Sequence, residues 1–375
     1  MQPEAGLDRG AAAHPSAHLP PGSRVVAAMS GGVDSSVAAA LLCRAGYEVV
    51  GVSMRLGSSS ARADGHSGCC SLDDFEDARR CASLLGIPHY VVDFREAFAT
   101  SVVEPFVDAY LSGRTPNPCT LCNRDVKFDA LWNWSAALGA RAIGTGHYAR
   151  ITASRPGEFE LRSAADPAKD QSYFLFTLGQ EELGRTLFPV GGLRKDEVRA
   201  LAQRLGLPVA AKPESQDICF VAGRRYEDVV EELAGARDLR PGRVVDQAGR
   251  EIARHDGIHR FTIGQRRGLG GGSAEPRYVG SIDGATGEVV AVPRTSLARQ
   301  SFTVADVCWT AAPHRGDALV RMRHRHAPVP CRVEPDGDRA FVRFPEPTPG
   351  PTPGQAAVFY AGDRVLGGGW IECSV

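Results

Sequence analysis

The 375-residue sequence lacks any apolar stretch long enough to cross a bilayer, since a membrane-spanning helix needs about 20 consecutive apolar residues. Residues 1–22, MQPEAGLDRGAAAHPSAHLPPG, also lack the basic start and apolar centre of a signal peptide. We therefore expect a cytoplasmic protein with no membrane partner. Because residues 1–22 are rich in Ala, Pro and Gly, we expect them to form a disordered tail.

The missing secretory signal changes how the cysteines are interpreted. The chain contains 10 cysteines, and in a reducing compartment grouped cysteines serve catalysis or metal binding more often than structural disulfides. Cys43 and Cys81 lie in Ala- and Leu-rich stretches and are expected in the core. Cys69 and Cys70 follow a Gly- and Ser-rich loop, where we expect only the start of a helix.

Lysine is absent from residues 241–332, where arginine carries all the basic charge. This region has 14 Arg against 8 Asp plus Glu, an excess of 14 − 8 = 6, although the whole chain is nearly neutral at 43 − 44 = −1. A local basic excess of this kind favours contact with a polyanion. Within the region, Gln265, Arg266 and Arg267 are predicted to form a loop that contacts phosphate.

Lysine is also missing from the Gly-rich sequence Ser30-Gly-Gly-Val-Asp-Ser35, which separates a predicted strand, Val25 to Met29, from a predicted helix, Ser36 to Arg44. The common phosphate-binding loop, G-x-x-x-x-G-K-[ST], requires a lysine. Two adjacent glycines, nearby hydroxyls and a helix N-terminus nevertheless form an anion-binding cradle. The sequence therefore predicts a phosphate-binding loop of another kind.

Apolar runs and helical stretches alternate from Arg24 to about Ala222, which predicts a parallel sheet covered by helices. Predicted strands are Val25 to Met29, Glu48 to Met54, His89 to Phe94 and Arg141 to Gly144; predicted helices are Ser36 to Arg44, Leu72 to Leu85, Asp125 to Leu138 and Lys195 to Leu205. Short strands broken by Pro and Gly dominate after Ser301 and predict a small antiparallel barrel. We place domains at 23–222, 223–295 and 296–375.

Two cysteine motifs carry predicted chemistry. Cys119 and Cys122 form a C-x-x-C that we place immediately before a helix beginning near Asp125, and Cys219 lies in the sequence E-S-Q-D-I-C-F. A thiol at a helix N-terminus has a depressed pKa and is therefore more reactive at neutral pH. These three cysteines are the candidates for a catalytic or metal-binding role.

The chain resembles the bacterial tRNA-specific 2-thiouridylases, members of the PP-loop ATP pyrophosphatase superfamily. The resemblance covers residues 24–373 and rests on S-G-G-V-D-S, G-R-T-P-N-P, C-N, G-T-G-H-Y, K-D-Q-S-Y-F-L, S-Q-D-I-C-F and T-P-G-Q-A-A-V-F-Y, in that order. It implies an α/β PP-loop (adenine-nucleotide α-hydrolase-like) parallel-sheet catalytic domain, a small central domain and a C-terminal antiparallel β-barrel.

The family activity is ATP-dependent thiolation of C2 of uridine 34, the tRNA wobble base. The resemblance implies that ATP, with Mg²⁺, adenylates the C2 oxygen, and that the ATP site contains Ala28, Met29, Ser30, Gly31, Gly32, Val33, Asp34, Ser35, Met54 and Gly146. It assigns Cys219 as the persulfide carrier and Cys122 as the nucleophile that releases the sulfur, leaving a transient disulfide. A sulfur-relay protein or cysteine desulfurase would load Cys219.

The resemblance also implies a tRNA-binding surface for the anticodon arm. Its residues are Asn117, Pro118, Cys119, His147, Lys169, Asp170, Gln171, Arg323, His324 and Gln355. Without the resemblance, seven of them would be interpreted as surface residues, namely His147, Lys169, Asp170, Gln171, Arg323, His324 and Gln355. Phosphate contacts from Lys and Arg would add affinity that falls with salt.

Cys119 departs from many family members, which have Asp at this position, and this difference leaves alternatives open. Cys119, Cys122 and Cys219 could instead be three ligands of a [4Fe-4S] cluster whose open iron binds sulfide. A PP-loop ligase or amidase acting on a small metabolite would need neither Cys122 nor Cys219. A metal-stapled RNA-binding module would not need the ATP motif.

Overall fold

The protein, described here as a computed structural model, folds around three β-sheets. The structure describes residues 19–57, 71–214, 218–221, 223–235, 239, 241–270 and 275–374. Cys69, Cys70 and residues 1–18 of the predicted tail lie outside these residues. The predicted fold class, with an α/β domain, a small central domain and an antiparallel barrel, is confirmed. No helix among the described residues is both long and apolar enough to span a bilayer.

The N-terminal domain is built on a parallel sheet of order β3-β2-β1-β4-β7. Its strands are β1 (Arg24–Ala28), β2 (Glu48–Arg55), β3 (His89–Asp93), β4 (Ala142–Gly144) and β7 (Thr186–Leu187). Along β1, Val25 and Ala27 join one apolar cluster and Val26 joins the other, because alternate side chains of a strand face opposite sides of the sheet. Both faces are therefore covered, as the uninterrupted apolar run predicts.

Helices cover both faces of this sheet. They are α1 (Val33–Arg44), α2 (Leu72–Leu85), α3 (Arg95–Phe98), α4 (Glu104–Leu111), α5 (Pro118–Leu121), α6 (Leu131–Ala137), α7 (Gln180–Gly184) and α8 (Lys195–Arg204), with π-helical segments Ala99–Val103 and Cys122–Ala130 and a 3-10 turn Ser172–Phe174. A capping box between Ser71 and Asp74 begins α2, and left-handed Gly86 ends it. In contrast, Gly32 begins α1 without any side-chain cap.

The helix that carries the C-x-x-C motif begins earlier than predicted. It starts at Pro118 and runs through the π-helical segment to Ala137, so Cys119 and Cys122 lie inside it rather than before it. Proline is favoured at the first helical position, where its missing N–H costs nothing and its φ suits the helix. The predicted start near Asp125 was therefore wrong by seven residues.

The central domain is a small mixed sheet of order β10-β11-β8-β9. Its elements are α9 (Tyr226–Ala234), β8 (Gly242–Val245), β9 (Glu251–His255), a 3-10 turn Ile258–Arg260, β10 (Arg277–Ile282), β11 (Val289–Pro293) and a 3-10 turn Arg294–Leu297. The domain reaches the cysteine-bearing region, since a Cβ added to Gly113 would lie 2.7 Å from a methyl carbon of Ile282. Its position is therefore relevant to the site.

The C-terminal domain is an antiparallel barrel closed by pairing of its first and last strands. Its strands are β12 (Ala298–Trp309), β13 (Gly316–Arg321), β14 (Val329–Asp336), β15 (Arg339–Pro349), β16 (Ala356–Ala361) and β17 (Arg364–Ser374). A hairpin from the N-terminal domain, β5 (Ala149–Arg155) and β6 (Glu158–Ser163), extends this sheet at β17 through the pair Arg364 and Arg162. Sequence analysis did not predict this hairpin.

One apolar cluster joins the barrel to the N-terminal domain. Phe176 and Leu161 from the N-terminal domain pack in the same cluster as Val358 and Val365 from the barrel, and all four are fully buried. Phe176 also meets Trp370 edge to face, with ring centroids 5.9 Å apart. Burial of apolar area at about 25 cal/mol per Å² makes this shared core a strong tie between the two domains.

We predict that Phe176→Ala lowers the free energy of unfolding by about 3–5 kcal/mol, because it removes a buried aromatic ring and leaves a cavity. Chemical denaturation followed by hydrogen exchange would measure the loss and locate it at the junction of β16, β17 and the hairpin. Leu84→Ala, at a position 56% exposed, is the matched control. Equal stability of the two variants would contradict a shared core.

Candidate active site

The anion-binding loop lies at the carboxyl end of β1, as predicted. The hydroxyls of Ser30 and Ser35 lie 3.1 Å apart, and the Ser30 amide donates to the Ser35 Oγ at 3.1 Å. The Ser36 hydroxyl donates to the Gly32 carbonyl at 2.9 Å. These bonds fix the turn, while the first turn of α1 keeps N–H groups without a side-chain cap, as an anion-binding helix end requires.

Two glycines allow neighbouring backbone to approach this loop. Gly31 has φ of +73°, and a Cβ there would lie 2.2 Å from the Asp74 carbonyl oxygen. A Cβ on Gly146 would lie 2.6 Å from the Ser35 amide nitrogen. Only glycine fits at either position, so the G-T-G-H-Y turn packs directly on the start of α1.

The remaining predicted ATP-site residues lie around the same sheet edge. Val33 and Asp34 open α1, and Ala28 and Met29 end and follow β1. The Ser53 hydroxyl donates to the Met29 carbonyl at 2.7 Å, which brings the end of β2, with Met54, beside the loop. The predicted nucleotide-site residues are therefore gathered in one place.

A lysine does reach the loop, but it comes from α8. The Lys195 ammonium donates to Asp34 Oδ1 at 2.7 Å and to Asp34 Oδ2 at 2.8 Å, and the Tyr148 hydroxyl donates to Asp34 Oδ1 at 2.7 Å. Burial and the Asp34 carboxylate raise the pKa of Tyr148, so it stays protonated as a donor. Neither contact was predicted from the sequence, because both residues lie more than a hundred positions from Asp34 in the chain.

The same lysine also reaches Glu214, at the start of the segment that carries Cys219. Lys195 Nζ lies 2.9 Å from Glu214 Oε1, and Lys169 Nζ lies 2.5 Å from Glu214 Oε2. Burial alone would raise the pKa of Glu214, but hydrogen bonds from Lys169 and Lys195 hold it at about 2. Glu214 is therefore ionised at neutral pH.

A second lysine secures the other side of the loop. Lys212 Nζ donates to the Gly31 carbonyl at 3.0 Å, to Asp74 at 2.8 Å and to Asp77 at 2.6 Å. Burial opposes the charge of Lys212, but its hydrogen bonds to the two aspartates raise its pKa. Lys212 thus ties the glycine turn to α2, and sequence analysis missed it too.

The two predicted catalytic cysteines pack into one apolar cluster. Cys122 is 8% exposed in the cluster that also contains Phe98, and the half-buried Cys219 and Phe220 pack against the same cluster. Phe220 meets Phe98 edge to face with ring centroids 5.7 Å apart. Segments about a hundred residues apart in sequence therefore pack on the same cluster, while the meeting of the two thiols stays a prediction.

The two basic side chains that follow Cys122 in the sequence bind other groups. Arg124 forms two hydrogen bonds with Asp125, at 2.6 and 3.0 Å, and Lys127 donates to Asn123 at 2.9 Å. Of the two motif cysteines, Cys119 lies in the first turn of the helix, where the dipole acts most strongly. Cys122 lies one turn further along.

The three cysteines do not form a recognisable cluster site in this structure. Within the described parts of the chain, no three His, Cys, Asp or Glu side chains converge in a way that could hold a metal ion. Cys119, Cys122 and Cys219 thus do not fit a [4Fe-4S] site in the observed arrangement.

The predicted tRNA-contacting segment 169–171 connects the nucleotide loop with the barrel. Asp170 is only 4% exposed and accepts a hydrogen bond at 2.9 Å from Arg321, a residue that sequence analysis did not select. The Gln171 side chain accepts the Tyr148 amide at 2.9 Å. The Asp170 side chain is therefore buried against the barrel, and a tRNA contact by this segment stays a prediction.

The barrel positions of the predicted tRNA surface also make contacts within the protein. His324 is hydrogen-bonded to the Asp170 carbonyl at 3.0 Å, and its ring lies 4.5 Å from that of Phe174. Arg323 donates to the Ile263 carbonyl at 3.3 Å. These side chains are half-buried, and they join the barrel to the N-terminal and central domains.

Gln355 binds the backbone just before the helix that carries Cys119 and Cys122. Its amide donates to the Thr115 carbonyl at 3.0 Å and to the Pro116 carbonyl at 3.2 Å, while the Thr115 amide donates to the Pro353 carbonyl at 3.0 Å. Asn117 and Pro118, which follow directly, are buried. The barrel thus fixes the start of the helix that carries Cys119 and Cys122.

His147 is half-buried beside the nucleotide loop and is neutral at physiological pH. Burial, and then the Lys127 ammonium, hold its pKa well below 6.5. Its Nδ1 is hydrogen-bonded to the Thr145 hydroxyl at 2.8 Å, and its ring lies about 6 Å from those of Phe128 and Phe188. A neutral, oriented imidazole here suits contact with an uncharged base.

We predict that Gly146→Ala weakens ATP binding by at least about tenfold, because the new methyl group would displace the start of α1 and disturb the cradle. Isothermal titration with ATP and Mg²⁺ measures the affinity. Gly192→Ala is the matched control, since a Cβ at Gly192 meets nothing within 4 Å. Native affinity in the Gly146 variant would show that the close approach is not needed.

Three family profiles match almost the whole described chain. Residues 23–223 match a tRNA methyl transferase HUP domain, residues 228–293 a tRNA methyl transferase PRC-barrel domain, and residues 299–371 an aminomethyltransferase β-barrel domain. Among solved structures, a 4-thiouridine synthetase–RNA complex with bound ATP matches at a TM-score of 0.37 and 17% identity, covering 56% of this chain and 50% of that one.

Curated relatives match over nearly their full length. The tRNA-specific 2-thiouridylase MnmA of Geotalea uraniireducens is 51% identical over 359 residues, covering 94% of this chain and 96% of the relative. The protein of the same name from Geobacter metallireducens is 50% identical, covering 94% and 97%. At this identity and coverage, the chain belongs to the tRNA-specific 2-thiouridylase family.

Proposed function

We propose that the chain uses ATP to replace the C2 oxygen of uridine 34 in tRNA with sulfur, in the cytoplasm. The observation that carries this proposal is the packing of Cys122 and Cys219 in one apolar cluster below a PP-loop. Thiolation requires a loop that activates the base with nucleotide and thiols that deliver sulfur, and the loop and both cysteines belong to the same domain. Family membership, with relatives named for this activity, supports the same conclusion.

The loop supplies the activation step. A carbonyl oxygen does not leave as oxide, so the C2 oxygen first attacks the α-phosphorus of ATP and displaces pyrophosphate, which makes AMP the leaving group. Backbone N–H groups at the start of α1 and the hydroxyls of Ser30 and Ser35 bind the phosphates. Mg²⁺, whose role is to neutralise phosphate charge, would be held by phosphate oxygens together with Asp34.

The cysteines supply the sulfur. A relay protein or cysteine desulfurase loads Cys219 as a persulfide, and the terminal sulfur attacks C2 and expels AMP. The Cys122 thiolate attacks Cys219 Sγ, breaks the S–S bond to the transferred sulfur and forms a Cys122–Cys219 disulfide. A thiol reductant then returns two electrons and restores both cysteines.

The apolar cluster around the cysteines serves this chemistry in two ways. Packing of Cys122 with Phe98 excludes water, and water would otherwise hydrolyse the adenylated base. The edge-to-face contacts of Phe220 with Phe98 and with Phe106, at 5.7 and 5.0 Å, hold the residue next to Cys219 in place. The core therefore fixes the residue next to Cys219 beside the cluster that contains Cys122.

We predict that Cys122→Ser and Cys219→Ser each abolish 2-thiouridine formation but leave tRNA-dependent ATP–pyrophosphate exchange near the native rate. The reason is that adenylation uses the loop and not the thiols. Nucleoside mass spectrometry of tRNA, after incubation with ATP and a persulfide donor, measures thiolation. Cys308→Ser, a half-buried barrel cysteine, is the control. Thiolation by either serine variant would overturn the mechanism.

We predict that Gln355→Ala slows sulfur transfer by about tenfold, because the hydrogen bonds to the Thr115 and Pro116 carbonyls, just before the helix that carries Cys119 and Cys122, are lost. Single-turnover thiolation measures the effect, and filter binding measures tRNA affinity. The control is Gln300→Ala, whose side chain donates to the Phe344 carbonyl within the barrel. An equal loss of tRNA affinity would instead indicate the direct tRNA contact that the family resemblance implies.

A further inference from the structure

The Lys195 ammonium forms a bridge between two parts of the site that perform different steps. It contacts both carboxylate oxygens of Asp34, at 2.7 and 2.8 Å, and Glu214 Oε1, at 2.9 Å. The Lys195 side chain is only 11% exposed. An ammonium group has three N–H donors, and three acceptors already surround it.

The two ends of this bridge have distinct functions. Asp34 lies in the first turn of α1, within the phosphate-binding loop. Glu214 lies five residues before Cys219, whose neighbour Phe220 packs against Phe98 and Phe106. On one side of Cys219 in the chain, Glu214 is therefore held by ionic bonds, and on the other side Phe220 is held by apolar packing.

We propose that Lys195 is a positioning residue that makes the reactivity of Cys219 depend on whether nucleotide is bound. The proposal rests on the proposed function, in which Cys219 carries the sulfur. Nothing in the C-x-x-C or PP-loop motifs assigns this role to Lys195. It follows from one side chain contacting both the loop and the anchor of the sulfur-carrying segment.

The physical basis is competition for a saturated donor. Phosphate oxygens that enter the loop compete with Glu214 for the Lys195 ammonium, while Mg²⁺ competes with Lys195 for Asp34. Because all three donors are in use, a new acceptor must displace an existing one. Either exchange changes the bond between Lys195 and Glu214. The position of Glu214, which precedes Cys219 in the chain, then changes as well.

Glu214 keeps other partners when this bond changes, so the response is a repositioning and not a loss of structure. Lys169 contacts its second oxygen at 2.5 Å, and Arg199 lies 3.5 Å from the first. Neither Lys169 nor Arg199 is among the groups that contact Asp34. Such coupling would keep the persulfide from reacting before an adenylated base can form.

Alkylation of Cys219 by iodoacetamide, measured by peptide mass spectrometry, tests the coupling without tRNA or sulfur. The probe is α,β-methylene-ATP with Mg²⁺ at saturating concentration, because it cannot be cleaved between its α and β phosphates. In the native protein we expect nucleotide to raise the alkylation rate by about threefold, the scale of one partly exposed ion pair. In Lys195→Gln we expect the ratio to fall to about one.

Two further variants separate coupling from loss of nucleotide binding. Glu214→Gln leaves the contact between Lys195 and Asp34 in place, and it should lose the response while still binding nucleotide. Lys169→Gln removes a different partner of Glu214 and should keep the response. Binding of α,β-methylene-ATP to each variant is measured by titration, so that every alkylation ratio refers to a saturated site.

A native protein whose Cys219 alkylation does not change with nucleotide would overturn the inference. An unchanged response in Glu214→Gln, or a response lost equally in Lys169→Gln, would overturn it as well. Failure of the proposed function has a different signature, because thiolation by Cys219→Ser would remove the role of that cysteine whatever the alkylation ratios are. The two failures are therefore distinguishable.

Discussion

The carboxylate of Asp34 is the constraint on which the site depends. It lies in the first turn of α1, where the loop is built to receive phosphate, and an uncompensated negative charge there would repel the nucleotide. The Lys195 ammonium and the Tyr148 hydroxyl both bind it. Lys195 comes from α8 and Tyr148 from the turn after β4. The negative charge of Asp34 is therefore compensated only when distant parts of the domain have folded around the loop. The apolar cluster that packs Val198 of α8 with Val37 of α1 brings the two helices together.

The barrel supports the cysteine site in a comparable way. Gln355 and Pro353 bind the backbone at Thr115 and Pro116, and the Asn123 side chain donates to the Phe174 carbonyl at 3.1 Å. The helix that carries Cys119 and Cys122 is therefore fixed at its start by the barrel. Its π-helical segment is fixed by the 3-10 turn Ser172–Phe174. A π-helical segment often marks a functional position in a helix, and this one begins at Cys122.

Local patterns in the sequence predicted the strand, glycine turn and helix around Ser30 to Ser35, because alternation, glycine and helix periodicity act over a few residues. Long-range pairing left no such signal: Lys195 was predicted to start a helix, but nothing local indicates its contact with Asp34, 161 residues earlier in the chain. The β5–β6 hairpin was missed for the same reason, since its sheet partner is β17. The helix that carries Cys119 and Cys122 was predicted to begin near Asp125, whereas Pro118 is its first helical residue.

Charge counting overstated what the arginine-rich region can offer to a polyanion, because many of its arginines bind carboxylates of the same protein. The paired arginines include Arg243, Arg250, Arg254, Arg260, Arg321 and Arg332. The exposed basic side chains of the same region also include Arg266 and Arg267 in the central domain and Arg325 in the barrel. Arg323 joins these two places through its bond to the Ile263 carbonyl. The exposed arginines therefore lie in two domains that the Arg323 side chain connects.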